Sequence, residues 1–178
     1  MIMKYSFISR IIFWGQKIKY GKTLQPAYWW GKSPWLLLGL QIFYRCLDRR
    51  GSSLDSSLKA LVSLRVSQLN HCAFCSDISF SKLQKLNISE QKIKSLSEHV
   101  LSLDFTKIEH TVLAYADAVT QNTSTEEVLK TLRTLFSEKE VIELTAWIAF
   151  QNMSSKFNAA LNIPAQGFCT LQYHLTKE

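Results

Sequence analysis

Apolar residues recur along most of this chain at spacings of three and four, the period of an α-helix with one buried face. A clear run is Leu54, Leu58, Leu61, Val62, Val66 and Leu69, which predicts a helix closing at Asn70-His71. Upstream, Ser33 and Pro34 supply N-cap and first-turn chemistry, and Leu37, Leu40, Tyr44 and Leu47 follow at helical spacing as far as Arg49-Arg50-Gly51. Downstream, Ser89 opens a shorter segment with Ile93 and Leu96, after which three Ser/Thr-x-x-Glu capping boxes succeed one another. Thr106 with Glu109 begins a helix bearing Val112, Leu113, Ala116 and Val119, and Ser124 with Glu127 begins one bearing Val128, Leu132 and Leu135. Ser137 with Glu140 begins the longest, carried by Val141, Leu144 and Ile148 toward Asn162 and ended by Pro164. With three prolines and six glycines in 178 residues, breakers are few. The expected fold is all-α and compact, with about six to eight helices and little or no sheet.

A chain this long, 47% hydrophobic and 20% charged, buries one good core. The pattern places that core in a helical domain over residues 33–166, with an arm at 1–32 and a tail at 167–178. Gly15, Gly21, Pro26 and Gly31 cut the arm into short pieces, leaving one helix from about Ser6 to Tyr20.

The net charge of +7 sits at one end. Lys4, Arg10, Lys17, Lys19, Lys22, Lys32 and Arg45 all precede the first acidic residue, Asp48, and all 14 acidic residues share the remainder with 14 basic ones. An acid-free arm carrying Phe7, Ile11, Trp14, Trp29, Trp30 and Trp35 suits wrapping a neighbouring subunit or covering a core, and, less well, contact with an anionic membrane surface. Nucleic acid is disfavoured, because the basic residues are scattered among large apolar ones without a recognition motif. The apolar stretch near Phe7 is broken by Arg10 and lacks a small-residue cleavage site, so it does not read as a secretory signal. The longest other apolar run, Trp35 to Tyr44, is about half the ~20 residues a membrane span requires.

Of the cysteines at 46, 72, 75 and 169, only Cys72 and Cys75 are close in sequence, which is not a disulfide scaffold and fits a reducing cytoplasm. The pair opens a helix that Asn70 can cap, that Ile78, Leu83 and Leu86 continue, and that Asn87 can end. Two thiols three apart share one helical face and can close a small ring. In a first turn they also lie against the positive end of the helix dipole, which lowers thiol pKa and favours the thiolate that attacks peroxide. Zinc would need two more ligands, and neither Cys46 nor Cys169 has a Cys or His neighbour to complete a second pair, so no metal and no cofactor is expected. Two inert buried cysteines remain the alternative to redox work.

The stretch from Leu61 to Ile88, LVSLRVSQLNHCAFCSDISFSKLQKLNI, resembles the signature of the alkylhydroperoxidase D and carboxymuconolactone decarboxylase family. The likeness runs from about Pro34 through VIELTAWIAFQNMSSKFNAALNIP, Val141 to Pro164. It implies the family's helical fold, assembled as trimers, hexamers or related rings. It also implies that Cys75 is the peroxidatic cysteine, that Cys72 resolves the sulfenic acid into a disulfide, and that electrons come from a separate dithiol donor protein. Members with a full proton relay carry Glu where this chain has Ala60 and His where it has Ser79. Neither replacement moves protons well near neutral pH. His71, next to Cys72, is a candidate base, although a helix-flanking His is more often simply exposed. Asp77 reads as a solvated carboxylate favoured by the helix dipole, and His99, His110 and His174 read as surface or capping residues. The decarboxylase activity in the family's name does not rely on a Cys-x-x-Cys pair and is not expected.

Three readings follow: a thiol-dependent antioxidant enzyme reducing hydroperoxides through the Cys72/Cys75 cycle, a non-enzymatic oligomeric or interaction protein of the same fold, and a dithiol-disulfide exchange protein without peroxide turnover. The first is the leading expectation.

Overall fold

Every regular element of the protein is helical among the residues described, 5–100 and 102–169 of a computed structural model. In order they are α1 (Phe7–Tyr20), α2 (Gln25–Trp30), α3 (Pro34–Leu47), α4 (Ser56–Leu69), α5 (Ala73–Lys85), α6 (Glu90–Lys94), a 3-10 turn at Ser95–Glu98, α7 (Lys107–Gln121), α8 (Glu126–Leu135) and α9 (Glu138–Ala160). The all-α expectation holds. Among the described residues there is one helix more than the six to eight expected, because Pro26 does not break the arm but lies in the first turn of a short helix, α2. His174 lies outside the described residues.

Backbone contacts divide the chain into two units, residues 1–50 and 51–178. The first holds α1 to α3 around a small core of Phe13, Ala27 and Leu37, edged by Tyr5, Ile12, Tyr28 and Trp30. Phe13 meets Tyr5 and Tyr28 edge-on at 5.0 and 5.2 Å between ring centroids. Gly31 is required here, since a Cβ at that position would stand 2.7 Å from the Phe13 ring. On α1, Phe7, Ile11, Trp14 and Ile18 form an exposed apolar stripe.

The second unit is organised by α4, which packs against α5, α7 and α9. Its Ala60, Leu61, Val62, Leu64 and Val66 are completely buried, so α4 is apolar on several faces instead of one. Asp55 caps it by accepting from the N–H groups of Ser57 and Leu58 at 2.7 and 3.2 Å. Burial alone would raise the Asp55 pKa, but those backbone donors hold it below the usual carboxylate range. Leu61, Leu64, Phe80, Leu83, Leu96 and Leu113 share one core with Ala60.

Two of the three capping boxes close reciprocally, Thr106 with Glu109 and Ser137 with Glu140. The third does not: the N-cap of α8 is Thr125, one residue after Ser124, with no side-chain cap, and Lys130 donates to Glu127 at 2.9 Å. No described helix is long and apolar enough to cross a membrane.

Candidate functional site

The chain turns from α4 into α5 through Asn70 and His71, and that turn sets the two sulfurs. His71 is exposed and takes the left-handed conformation at φ 51°, which lets the backbone double back. Asn70 does not cap α5 as expected. It ends α4, where its side-chain N–H groups reach Val66 O at 3.0 Å and Asn152 Oδ1 at 2.8 Å. Cys72 takes the N-cap position instead, its Sγ accepting from the N–H of Cys75 at 3.2 Å. The Cys72 and Cys75 sulfurs are at disulfide-bonding distance, with Cα atoms 5.3 Å apart. Both residues are almost completely buried, at 1% and 3% exposure. Cys46 is exposed and Cys169 half-buried, and neither is in a disulfide. No cluster able to hold a metal ion occurs among the described residues.

Helix α9 supplies the polar side of the site. Trp147 Nε1 donates to Lys59 O and Ser63 Oγ at 3.0 Å. One turn on, Gln151 Nε2 donates to Ser67 Oγ at 3.0 Å and Ser155 Oγ at 2.9 Å. Asn158 Nδ2 then donates to Cys75 Sγ at 3.2 Å. Residues 147, 151, 155 and 158 are spaced to share one face of α9, so a seam of buried hydrogen bonds against α4 leads to the Cys75 sulfur. The ammonium groups of Lys59 and Lys82 stand 5.2 and 5.5 Å from the Trp147 ring, a cation–π arrangement at a buried indole. Ser79 and Ser76 are both buried.

Asp77 is buried, contrary to the solvated carboxylate expected of it. Its oxygens accept from the backbone N–H groups of Gln166, Phe168 and Cys169 at 2.7, 2.9 and 2.7 Å. The segment after α9 is thereby folded back on the first turns of α5, with Phe168 edge-on to Phe74 at 6.4 Å. Gly167 makes the return with φ +67°, where a side chain would strain the backbone. Replacing Asp77 with Ala strands three N–H groups and should cost about 2–3 kcal/mol of stability. It should also speed reduction of the Cys72–Cys75 disulfide by dithiothreitol; an unchanged rate would show that this segment does not guard the sulfurs.

His99, expected at the surface, is 99% buried, with Nε2 3.0 Å from Asp117 Oδ2. Arg65 grips the same carboxylate through two N–H groups at 2.7 and 2.8 Å and donates to Ser97 O at 3.3 Å. Burial would raise the Asp117 pKa, but the His99 and Arg65 hydrogen bonds and charges outweigh it and hold the carboxyl low. His110 is half-buried, its ring 6.4 Å from that of His99.

The sequence profile of the carboxymuconolactone decarboxylase family matches residues 40–118, a span that contains the dithiol. The Escherichia coli (strain K12) protein YnjA, itself uncharacterised, is 35% identical over 172 residues, covering 96% of this chain and 94% of that one. An Agrobacterium tumefaciens protein of unknown function, whose description names AhpD and antioxidant defence, superposes with a TM-score of 0.72 at 26% identity, over 78% of this chain and 95% of that one. The debrominase Bmp8 superposes with a TM-score of 0.78 over 90% of this chain and 87% of its own; at 21% identity the likeness is one of fold.

Proposed function

This chain belongs to the carboxymuconolactone decarboxylase family, and from that membership and its paired sulfurs we propose that it is a thiol-dependent peroxidase with an alkylhydroperoxidase D-like cycle. The observation that carries the reading is the placement of Cys72 and Cys75 at bonding distance in the first turn of α5, each sulfur receiving an N–H donor. Such donors favour a thiolate, and the charge of the sulfur that ionises keeps its neighbour protonated, so the pair carries one thiolate and one thiol.

In the cycle, the Cys75 thiolate attacks the terminal oxygen of a hydroperoxide. The O–O bond breaks, a Cys75 sulfenic acid forms, and the departing alkoxide takes the proton of the Cys72 thiol. The Cys72 thiolate then attacks the Cys75 sulfur and expels hydroxide, which takes up the proton Cys75 released on ionising. One dithiol and one hydroperoxide thus yield one disulfide, one alcohol and one water, and a partner dithiol protein returns the two electrons. A reducing cytoplasm suits the cycle. The apolar stripe on α1 supports assembly as a homo-oligomer, trimeric or hexameric, with the stripe covered by another copy.

The test is hydroperoxide consumption by the reduced protein with a dithiol donor. Consumption that tracks disulfide formation is expected; consumption no faster than the donor alone achieves would refute the reading.

One observation favours a second reading, dithiol-disulfide exchange without peroxide. Cys72 Sγ is the N-cap atom of α5, the sulfur best served by the helix amides, and neither Ala60 nor Ser79 provides a relay acid or base. Under that reading Cys72 is the attacking thiol, and reduction of a thioredoxin-like disulfide is lost in Cys72→Ser.

A further inference from the structure

Asn158 is 1% exposed and lies on the α9 face that meets the dithiol. Its Nδ2 donates to Cys75 Sγ at 3.2 Å, while its Oδ1, also buried, has no hydrogen-bond partner. Buried amide oxygens are nearly always hydrogen-bonded, so one left open beside the dithiol is an acceptor that a ligand can use. Elsewhere in the α9 seam the donors are matched: the Trp147 indole N–H has two acceptors, and Gln151 Nε2 has two hydroxyls.

We propose that Asn158 is a catalytic residue with two tasks: its amide N–H holds Cys75 as a thiolate, and its Oδ1 receives the O–H of the bound hydroperoxide. The second task rests on the peroxidase reading; the first does not.

The chemistry needs both ends of the amide. A thiolate has no proton to give, so its partner must be a donor, and an amide N–H is one that never ionises. A hydroperoxide carries its only proton on the oxygen that becomes bonded to sulfur, so an acceptor beside the sulfur orients that oxygen for attack. A carboxamide supplies donor and acceptor from one rigid plane. It moves no proton, so the alkoxide is still protonated by Cys72 as written above. In a chain with Ala60 and Ser79 where relay residues would stand, this makes thiolate stabilisation a matter of hydrogen bonding instead of proton shuttling.

The experiment isolates Cys75 in the full chain by replacing Cys46, Cys72 and Cys169 with Ser, and follows the ultraviolet absorbance of its thiolate as pH rises. That readout needs no reagent to enter the site. Loss of one donor to a charged sulfur in Asn158→Ala should move the midpoint up by about one pH unit, so that about tenfold less thiolate is present below both midpoints. Asn158→Asp should move it further in the same direction, because a carboxylate opposes a second negative charge. Asn158→Ser, which keeps a donor, should fall between the parent and Asn158→Ala, and it replaces the Ala variant if that one fails to fold. Midpoints identical across the set would overturn the first task.

The second task is read above all the midpoints, where every variant is fully thiolate. Sulfenic acid formation with hydrogen peroxide should remain about tenfold slower in Asn158→Ala than in the parent, and equal rates would overturn the acceptor role. If the parent itself gives no sulfenic acid at any pH, the peroxidase reading and the acceptor role fail together, while the titration still decides the contact between Asn158 and the sulfur.

Discussion

Cys75→Ser loses peroxide reduction by roughly three orders of magnitude or more, the scale on which an enzyme loses rate with its nucleophile. A serine hydroxyl at the same place stays protonated near neutral pH, so the Asn158 N–H that meets the Cys75 sulfur has no anion to stabilise. Cys72→Ser behaves differently. The first oxidation still occurs, but no neighbouring thiol closes the ring, so Cys75 climbs to the sulfinic acid on repeated exposure and turnover stops after about one event per chain. Stopped-flow peroxide consumption, with mass analysis of the spent protein, distinguishes the two outcomes. Equal rates in Cys75→Ser and the parent would remove Cys75 from the mechanism, and a Cys72→Ser protein that turns over normally would remove Cys72 from it.

Removing the Asp117 carboxylate has the largest expected effect on the fold. It joins α7 to Arg65 on α4 and to His99 after the 3-10 turn, three points far apart in sequence. In Asp117→Ala the Arg65 guanidinium, whose side chain is only 13% exposed, loses its counter-charge. The expected cost is about 3 kcal/mol, or roughly 10 °C in melting temperature for a chain of this size. The carboxyl is held below its ordinary value in the folded protein, so its contribution is present above the unfolded-state value near ~4 and is lost as pH falls through the lower, folded value. Glu109, drawn down by Lys92 and the Thr106 cap against the opposing effect of burial, adds a smaller loss of the same sign. Urea unfolding at pH 7 and pH 3 checks this: the parent should lose more stability across the interval than Asp117→Ala. A parent whose stability changes no more than the variant's would show that the triad does not contribute as described.

What the sequence made legible follows the reach of each interaction. Caps act within one turn, and the Thr106/Glu109 and Ser137/Glu140 boxes stand where the letters place them. Ser124/Glu127 has the same letters, but Thr125 takes the N-cap, so Glu127 falls at the second helical position and not the third, where a box would need it. The dithiol was legible because its ring closes over three residues. Its supports were not. Asp77 was read from its place near a helix start, whereas its partners are main-chain N–H groups some ninety residues later, which no side-chain pattern announces. His99 looked like a surface residue because Asp117 and Arg65, which explain its burial, sit on other helices. Asn158 did leave a trace. Trp147, Gln151, Ser155 and Asn158 repeat a polar or hydrogen-bonding group along one face of a helix otherwise marked by Val141, Leu144 and Ile148. A polar face on a buried helix signals something that needs hydrogen bonds.

Mass spectrometry of the fully reduced protein after one equivalent of hydroperoxide bears most directly on the claim that these two sulfurs cycle. The tryptic peptide from Val66 to Lys82 holds both Cys72 and Cys75. It should appear lighter by two hydrogens and refractory to alkylation, while Cys46 and Cys169 still alkylate. Recovery of that peptide as a free dithiol, with oxidation absent or confined to Cys46 and Cys169, would contradict the account.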